Sequence, residues 1–257
     1  MDGHTTWLHS PAMDATGELI RYGHWGRPVL VFPSERGRAS DFNSNGMVDA
    51  VGWLVEAGRV KLYCVDSYDG ASWSAEHLPL EERARQHGRY ESWIIDQVVP
   101  AIVADCGGDP ANPGDPAHPV EIMTTGASMG AFHALNFALR RADLFPLALC
   151  MSGNYDPTSW NGWGERGDTL YFNNPTDYVA NLGGDHLDWL RGRLSVQLVC
   201  GQGQWEDTTG ALDSTRRMAG LLGDKGIRHE LDLWGHDVAH DWPWWRKQFE
   251  HHLPRFC

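Results

Sequence analysis

Apolar and polar residues form two kinds of pattern along this chain, one typical of strands and one typical of helices. Short apolar runs bounded by turn residues are typical of strands, and they cover residues 18–23, 28–33, 60–66, 120–125, 147–153, 194–201 and 229–234. Apolar residues recur at helical spacing over 47–57, 90–106, 131–139 and 213–222, and again from about residue 242. Pro100 predicts a kink or a break in the second of these helices. Strands that alternate with helices predict an α/β fold, with a mostly parallel central sheet flanked by helices on both faces.

Length and composition favour one large domain. The chain has 257 residues, 42% of them hydrophobic, and no linker or repeat divides it. Such a chain can bury a sizeable core. A Gly-, Asn- and Trp-rich insertion at about residues 154–188 separates two predicted strands and is long enough to cover a site. We therefore expect a single domain over 1–257 with a short insertion near the ligand-binding edge of the sheet.

The charge balance argues against two classes of partner. The formal net charge is −13, which opposes binding to nucleic acid or to an anionic membrane surface. The first residues do not show the basic segment and following apolar segment of a signal peptide, and no apolar run approaches membrane-spanning length. These features predict a cytoplasmic protein and leave homo-oligomers open. The five cysteines form no CxxC pair, so neither a disulfide framework nor a zinc–cysteine site is expected.

The segment Gly126–Gly130 carries the strongest chemical signal. A β-branched apolar run precedes it, and the alanine-rich stretch 131–139 follows it. A serine between two glycines, at a sharp turn from strand to helix, is the context of a nucleophile elbow. The glycines relieve crowding at the turn, and the helix N-terminus places the Met129 N–H near a developing oxyanion. Ser128 is therefore the candidate nucleophile.

The acid and the base are predicted from later strand ends. In hydrolases with such an elbow, an acid and then a histidine follow the serine along the chain. The strand over 194–201 leads to Glu206, the preferred acid, with Asp207 as the alternative. The strand over 229–234 leads to His240, the preferred base because it directly precedes the last helix, with His236 as the alternative.

The two histidines also have the i, i+4 spacing of a zinc-binding HExxH motif. That motif needs one continuous helix through both, but Gly235 precedes the pair and Pro243 follows it. We therefore expect no metal and no other cofactor.

Backbone amides and aromatic residues complete the predicted site. A second oxyanion donor should come from the loop after the strand over 28–33, where the Ser34 and Glu35 amides are the candidates. The Glu35 carboxylate would repel an oxyanion if it pointed inward. The chain has 13 tryptophans. The late cluster 234–245 suggests packing residues, whereas Trp160, Trp163 and Trp205 are candidates for the substrate pocket.

The chain resembles the esterase D branch of the α/β-hydrolase superfamily, a group of serine esterases that includes S-formylglutathione hydrolases, feruloyl-type esterases and mycolyltransferases. The resemblance extends over about residues 18–253. Its most specific parts are the segment 126–130, the turn from Cys200 to Glu206 and the ending 240–245, which is similar to the His-x-Trp-x-x-Trp close of that branch.

This resemblance implies Ser128 as nucleophile, His240 as base, Glu206 as acid and the Met129 N–H as oxyanion donor. Two features differ from the branch. Pro33-Ser34-Glu35 stands where many relatives have His-Gly or Asp-Gly, and no matched cysteine or loop specifies glutathione thioesters.

We therefore expect a serine carboxylic ester hydrolase that works through an acyl-enzyme. The insertion shows no long amphipathic lid helix, which favours small-molecule esters with short acyl or aryl groups. An acyltransferase on the same residues, or a non-catalytic binding protein of the same fold, are the alternatives.

Overall fold

The computed structural model describes residues 1–117 and 119–257. Eight strands form one sheet in the order β1-β2-β4-β3-β5-β6-β7-β8. The strands are β1 (His4–Ser10), β2 (Ala15–Tyr22), β3 (Arg27–Phe32), β4 (Val60–Val65), β5 (Met123–Ala127), β6 (Leu147–Met151), β7 (Ser195–Cys200) and β8 (Arg228–Leu233). The first two pair antiparallel with their neighbours, and the other six run parallel. The expected α/β class with a mostly parallel sheet is confirmed.

Helices connect the parallel strands and cover the sheet. They are α1 (Asp41–Ser44), α2 (Met47–Ala50), α3 (Gly52–Glu56), α4 (Leu80–Trp93), α5 (Val99–Asp105), α6 (Met129–Arg140), α7 (Asp168–Tyr171), α8 (Pro175–Asn181), α9 (Gly184–Arg193), α10 (Ala211–Asp224) and α11 (Trp242–His252). In the described part of the chain, none of them has the length and hydropathy needed to cross a membrane.

The core has one apolar cluster on each face of the sheet. Alternate residues of β3 point to opposite faces, because side chains alternate along a strand. Leu30 and Phe32 join the cluster formed with α4, α5 and α6, while Val29 and Val31 join the one formed with α1 to α3 and α11. Burial on both faces explains why β3 is apolar at nearly every position.

The observed elements differ from the predicted ones in several places. β1 was not expected from the sequence; it pairs with β2 at the edge of the sheet and leaves much of its surface exposed. The helix expected over 90–106 begins at Leu80, because its first turns bury Leu80, Arg83, Ala84 and His87 at helical spacing. Two of these four residues are polar, so the apolar pattern does not mark the turns.

At Pro100 the helical segment is interrupted only by a change in helix type. A π-helical turn, Ile94–Val98, joins α4 to α5, and Pro100 lies in the first turn of α5. Proline is tolerated there because its missing N–H has no required partner in a first turn. The helix expected over 47–57 is likewise divided, since Val51 leaves helical dihedral angles between α2 and α3.

A buried arginine of α4 fixes the insertion to the body of the domain. The Arg83 side chain is fully buried, and its guanidinium donates to backbone carbonyl groups. The acceptors are Trp73, Glu76, Leu78, Trp160 and Asn161. Three of these precede α4 and two lie in the insertion, so one side chain joins both segments.

Glu81 holds the next part of the insertion from the same helix. Its carboxylate accepts hydrogen bonds from the backbone N–H groups of Gly167, Thr169 and Leu170 at 3.0–3.3 Å. Partial burial opposes ionisation of Glu81, but these donors outweigh it and lower the pKa of the carboxyl group. The start of α7 is thereby bound to α4.

Replacement of Arg83 is expected to destabilise the protein strongly. Arg83→Met keeps an unbranched apolar stem but removes the donors from several buried carbonyl groups, and each unpaired group costs about 1–3 kcal/mol. We expect the free energy of unfolding in urea to fall by about 3 kcal/mol. The matched control is Arg85→Met on the exposed side of α4, where Arg85 pairs with Glu81 and Glu82 and should contribute less than about 0.5 kcal/mol. Equal losses for the two variants would contradict the role of Arg83.

Candidate active site

The turn between β5 and α6 holds Ser128 in a strained conformation. Ser128 has φ 58° and ψ −121°, a combination of backbone dihedral angles that residues other than glycine rarely adopt. A Cβ atom on Gly126 would lie 2.4 Å from the Gly130 carbonyl carbon, and one on Gly130 would lie 2.5 Å from the Phe32 oxygen. Only glycine fits at either position, and the Ser128 side chain is thereby left at the carboxyl edge of the sheet.

Three of the predicted residues form a hydrogen-bonded row. The His240 Nε2 atom is 3.0 Å from Ser128 Oγ, and its Nδ1 atom is 2.9 Å from Glu206 Oε2. These side chains follow β5, β7 and β8, whose carboxyl ends meet at one edge of the sheet. Glu206 is fully buried and Ser128 and His240 are half-buried, so the row runs from the interior to the surface.

The alternative acid and base lie outside this row. Asp207 is exposed, and its carboxylate accepts the N–H of Thr208. His236 is exposed, with Nδ1 at 3.3 Å from the Gln202 carbonyl oxygen. The helix α11 begins only at Trp242, so His236 and His240 do not share the helix that an HExxH motif requires.

The buried Glu206 carboxylate is bound at both oxygens. Oε1 accepts from Ser152 Oγ at 2.6 Å and from the Gly201 N–H at 3.2 Å, while Oε2 faces His240 and the Cys200 thiol. Burial, and then the nearby Glu206 charge, raise the pKa of Cys200, so the thiol keeps its proton and can donate. Ser152 was not among the predicted site residues, because it falls inside the apolar run over 147–153 that predicts a strand, whereas the observed strand ends at Met151.

The loops after β7 and β8 are tied to each other. The Gly203 N–H donates to the Val238 carbonyl oxygen, and the His240 N–H donates to that of Gln204, both at 2.9 Å. A Cβ atom on Gly201 would lie 2.2 Å from the Val238 oxygen. This close backbone approach fixes the distance between the segment that carries Glu206 and the one that carries His240.

The backbone amides of Met129 and Glu35 border the same cavity. Within residues 1–117 and 119–257, neither the Met129 N–H nor the Glu35 N–H donates to another protein group, and both residues line the cavity beside Ser128. Ser34 does not line it. The Glu35 carboxylate accepts a 2.5 Å hydrogen bond from Ser74 Oγ, which holds it against that residue.

A buried polar pair supports the loop that contains Glu35. Asp69 Oδ2 accepts the N–H of Arg36 at 3.1 Å, and Asp69 Oδ1 is 2.9 Å from His133 Nε2. Both Asp69 and His133 are almost fully buried, and His133 lies one turn after Met129 in α6. The pair thus connects this loop to the helix that begins at the Ser128 turn.

The cavity at Ser128 has a volume of about 240 Å³ and aromatic walls. Trp73 and Trp160 contact each other edge to face, with ring centroids 5.8 Å apart. Of the three predicted tryptophans, Trp160 lines the cavity, whereas Trp163 and Trp205 lie outside it with about half of their surface exposed. Trp163 instead donates its indole N–H to the Glu76 carbonyl oxygen. Trp73 was missed because it lies in a segment without strand or helix periodicity.

Comparison with known proteins identifies the family. Residues 30–256 match the model of the family described as "Putative esterase". A search among curated protein sequences gives no match.

Solved structures show the same fold. A ferulic acid esterase is 18% identical, with 99% of this chain and 97% of that chain covered and a TM-score of 0.73. An S-formylglutathione hydrolase from Agrobacterium tumefaciens is 14% identical over 98% and 93% of the two chains, with a TM-score of 0.69. The fluorophosphonate-binding serine hydrolase F of Staphylococcus aureus is 12% identical over 99% and 97%, with a TM-score of 0.65.

These structural likenesses confirm the α/β-hydrolase fold, and the family model covers most of the chain. The protein is thus an enzyme of the carboxylesterase type, a carboxylic ester hydrolase. It belongs to the esterase family, as its resemblance to the esterase D branch implies.

Proposed function

We propose that the enzyme hydrolyses small carboxylic esters through an acyl-enzyme on Ser128, with His240 as base and Glu206 as acid. The observation that carries the proposal is the row of hydrogen bonds at 3.0 and 2.9 Å that joins these three side chains beside a cavity. A serine hydroxyl needs an adjacent base to become an effective nucleophile, and a third group must orient that base.

The buried carboxylate selects the useful tautomer of His240. A carboxylate oxygen can only accept, so Glu206 favours a proton on Nδ1 and leaves Nε2 free to receive one from Ser128. Ser128 Oγ then attacks the ester carbonyl carbon as its proton moves to Nε2. Collapse of the tetrahedral intermediate breaks the bond to the alcohol, which leaves with that proton.

Water completes the cycle by the same route. His240 removes a proton from the water as its oxygen attacks the acyl carbon, and the bond to Ser128 Oγ breaks with return of the proton to Ser128. The negative oxygen of each intermediate is assigned to the Met129 and Glu35 amides, because neither donates to another group among the described residues and both border the cavity.

The size and walls of the cavity favour small esters. A volume of about 240 Å³ is below the roughly 300–1,000 Å³ of pockets that hold drug-sized ligands. The Trp73 and Trp160 rings suit a short acyl chain or a small aryl group, since aromatic surfaces bury apolar area in edge-to-face or stacked contacts.

Loss of the nucleophile should abolish turnover without loss of the fold. For Ser128→Ala we expect kcat for p-nitrophenyl acetate to fall by about ten-thousandfold or more, with an unchanged circular dichroism spectrum. A fluorophosphonate probe should label the wild-type chain and leave this variant unlabelled. Equal turnover by the two proteins would refute the assignment.

The acid can be tested with two neighbouring carboxylates. Glu206→Gln should lower kcat by about a thousandfold or more, because the amide no longer favours the required tautomer of His240 or stabilises the imidazolium. Asp207→Asn, one residue along and exposed, should stay within about twofold of the wild type, as surface changes away from a site usually do. The reverse order of effects would assign the acid to Asp207.

Chain length tests the substrate class. Across p-nitrophenyl esters, kcat/KM should be highest for acetate to butyrate and should fall about tenfold or more by octanoate, as expected when an acyl chain outgrows its cavity. Rates that rise with chain length would contradict the assignment to small esters.

Product analysis with added alcohols separates hydrolysis from acyl transfer, which would yield new esters from the same acyl-enzyme.

A further inference from the structure

A buried serine outside the proposed triad binds its carboxylate directly. Ser152 follows β6, and its Oγ donates to Glu206 Oε1 at 2.6 Å. Both side chains are fully buried. Ser152 also has φ 52°, a left-handed conformation that favours glycine, so the fold keeps a serine where its backbone is strained.

The direction of the Ser152 hydroxyl is set by Trp245 of α11. The indole Nε1 atom is 3.2 Å from Ser152 Oγ, and an indole N–H can only donate. Ser152 must therefore accept from Trp245, which leaves its single proton for Glu206. Trp245 is 4% exposed, and the competing solvent is excluded from this bond.

The same indole ring contacts the base. Its plane lies at 84° to the His240 ring, with centroids 5.0 Å apart, an edge-to-face arrangement. One side chain therefore contacts both His240 and the hydroxyl that binds the acid. Trp245 does not line the cavity, so it can affect turnover only through its neighbours.

We propose that Ser152 and Trp245 are positioning residues for ester hydrolysis that align the Glu206 carboxylate with His240. Ser152 and the Gly201 N–H hold Oε1, which turns Oε2 toward the His240 Nδ1–H. Without the hydroxyl, Oε1 depends on the longer 3.2 Å bond from the Gly201 N–H, so the orientation of the carboxylate, and with it that of the imidazole, is less firmly fixed. This inference rests on the proposed function of the triad.

The test uses Ser152→Gly and Trp245→Phe in the full chain with p-nitrophenyl acetate. Ser152→Gly removes the hydroxyl and relieves the backbone strain, because glycine readily adopts a positive φ. Trp245→Phe removes the indole N–H but keeps an aromatic ring packed in the same place. We expect kcat to fall about tenfold or more for each variant, the effect of roughly one lost charge-assisted bond. KM should stay within about twofold, because an interaction that acts through Glu206 strengthens in the transition state.

Matched controls separate alignment from general packing. Ser10→Ala removes a buried serine at the far edge of the sheet, whose Oγ accepts the Met13 N–H. Trp244→Phe changes the neighbouring tryptophan, whose ring lies 4.1 Å from the Lys247 ammonium group. Both controls should leave kcat unchanged.

A double-mutant cycle gives a readout that a purely structural role would not change. In a Glu206→Gln background, Ser152→Gly should lower kcat less than about twofold further, because the residues act as one unit. If Ser152→Gly lowered kcat by the same factor in the Glu206→Gln background as in the wild type, the inference would be overturned. It would also be overturned if Ser152→Gly alone kept the wild-type kcat or failed to fold. A wild-type chain inert to both ester and fluorophosphonate would instead refute the proposed function, and this inference with it.

Discussion

The backbone at Ser128 can hold its left-handed conformation because two glycines leave space for the chain on either side. Such a conformation costs about 1–3 kcal/mol, and the surrounding contacts must supply that energy. The Ser128 N–H donates to the Met151 carbonyl oxygen, and the Phe32 and Pro33 carbonyl oxygens face Gly130. Three central strands therefore meet at one turn. The start of α6, the loop with Glu35 and the cavity all take their positions from this close approach.

The second demand on the fold is the burial of a carboxylate. An ionised side chain without partners is very costly in the interior, and Glu206 is fully buried. Four groups compensate: the imidazole of His240, the hydroxyl of Ser152, the thiol of Cys200 and the amide of Gly201. They come from the ends of β6, β7 and β8, so the charge itself gathers three segments that are distant in sequence.

The sequence predicted what depends on local pattern. The parallel strands are buried on both faces and read as continuous apolar runs, and the elbow signal follows from the steric need for glycine at 126 and 130. The order of serine, acid and histidine along the chain then selected residues that do lie together. Glu206 and His240 lie in the hydrogen-bonded row with Ser128, and Asp207 and His236 lie outside it.

The remaining features depend on contacts between distant segments. Arg83 lies on the buried side of α4 because five carbonyl groups surround it, and no local pattern reports those acceptors. The positions of Trp73 and Ser152 likewise cannot be predicted from local pattern, because their neighbours come from other parts of the chain. The prediction for Trp163 and Trp205 rests on residue type and nearness in sequence, neither of which determines the side of a loop on which a side chain lies.

The attachment of the insertion to α4 has an evolutionary consequence. Arg83 and Glu81 bind backbone groups almost exclusively, and backbone groups are present whatever side chains the insertion carries. Many substitutions in the insertion can therefore accumulate while its path over the cavity is preserved, but not at Gly167, where a Cβ atom would lie 2.6 Å from the Glu81 carboxyl carbon. The segments that carry Ser128, Glu206 and His240 are held by separate contacts. Selectivity can thus diverge among descendants of such a chain without renewed selection on its reaction chemistry.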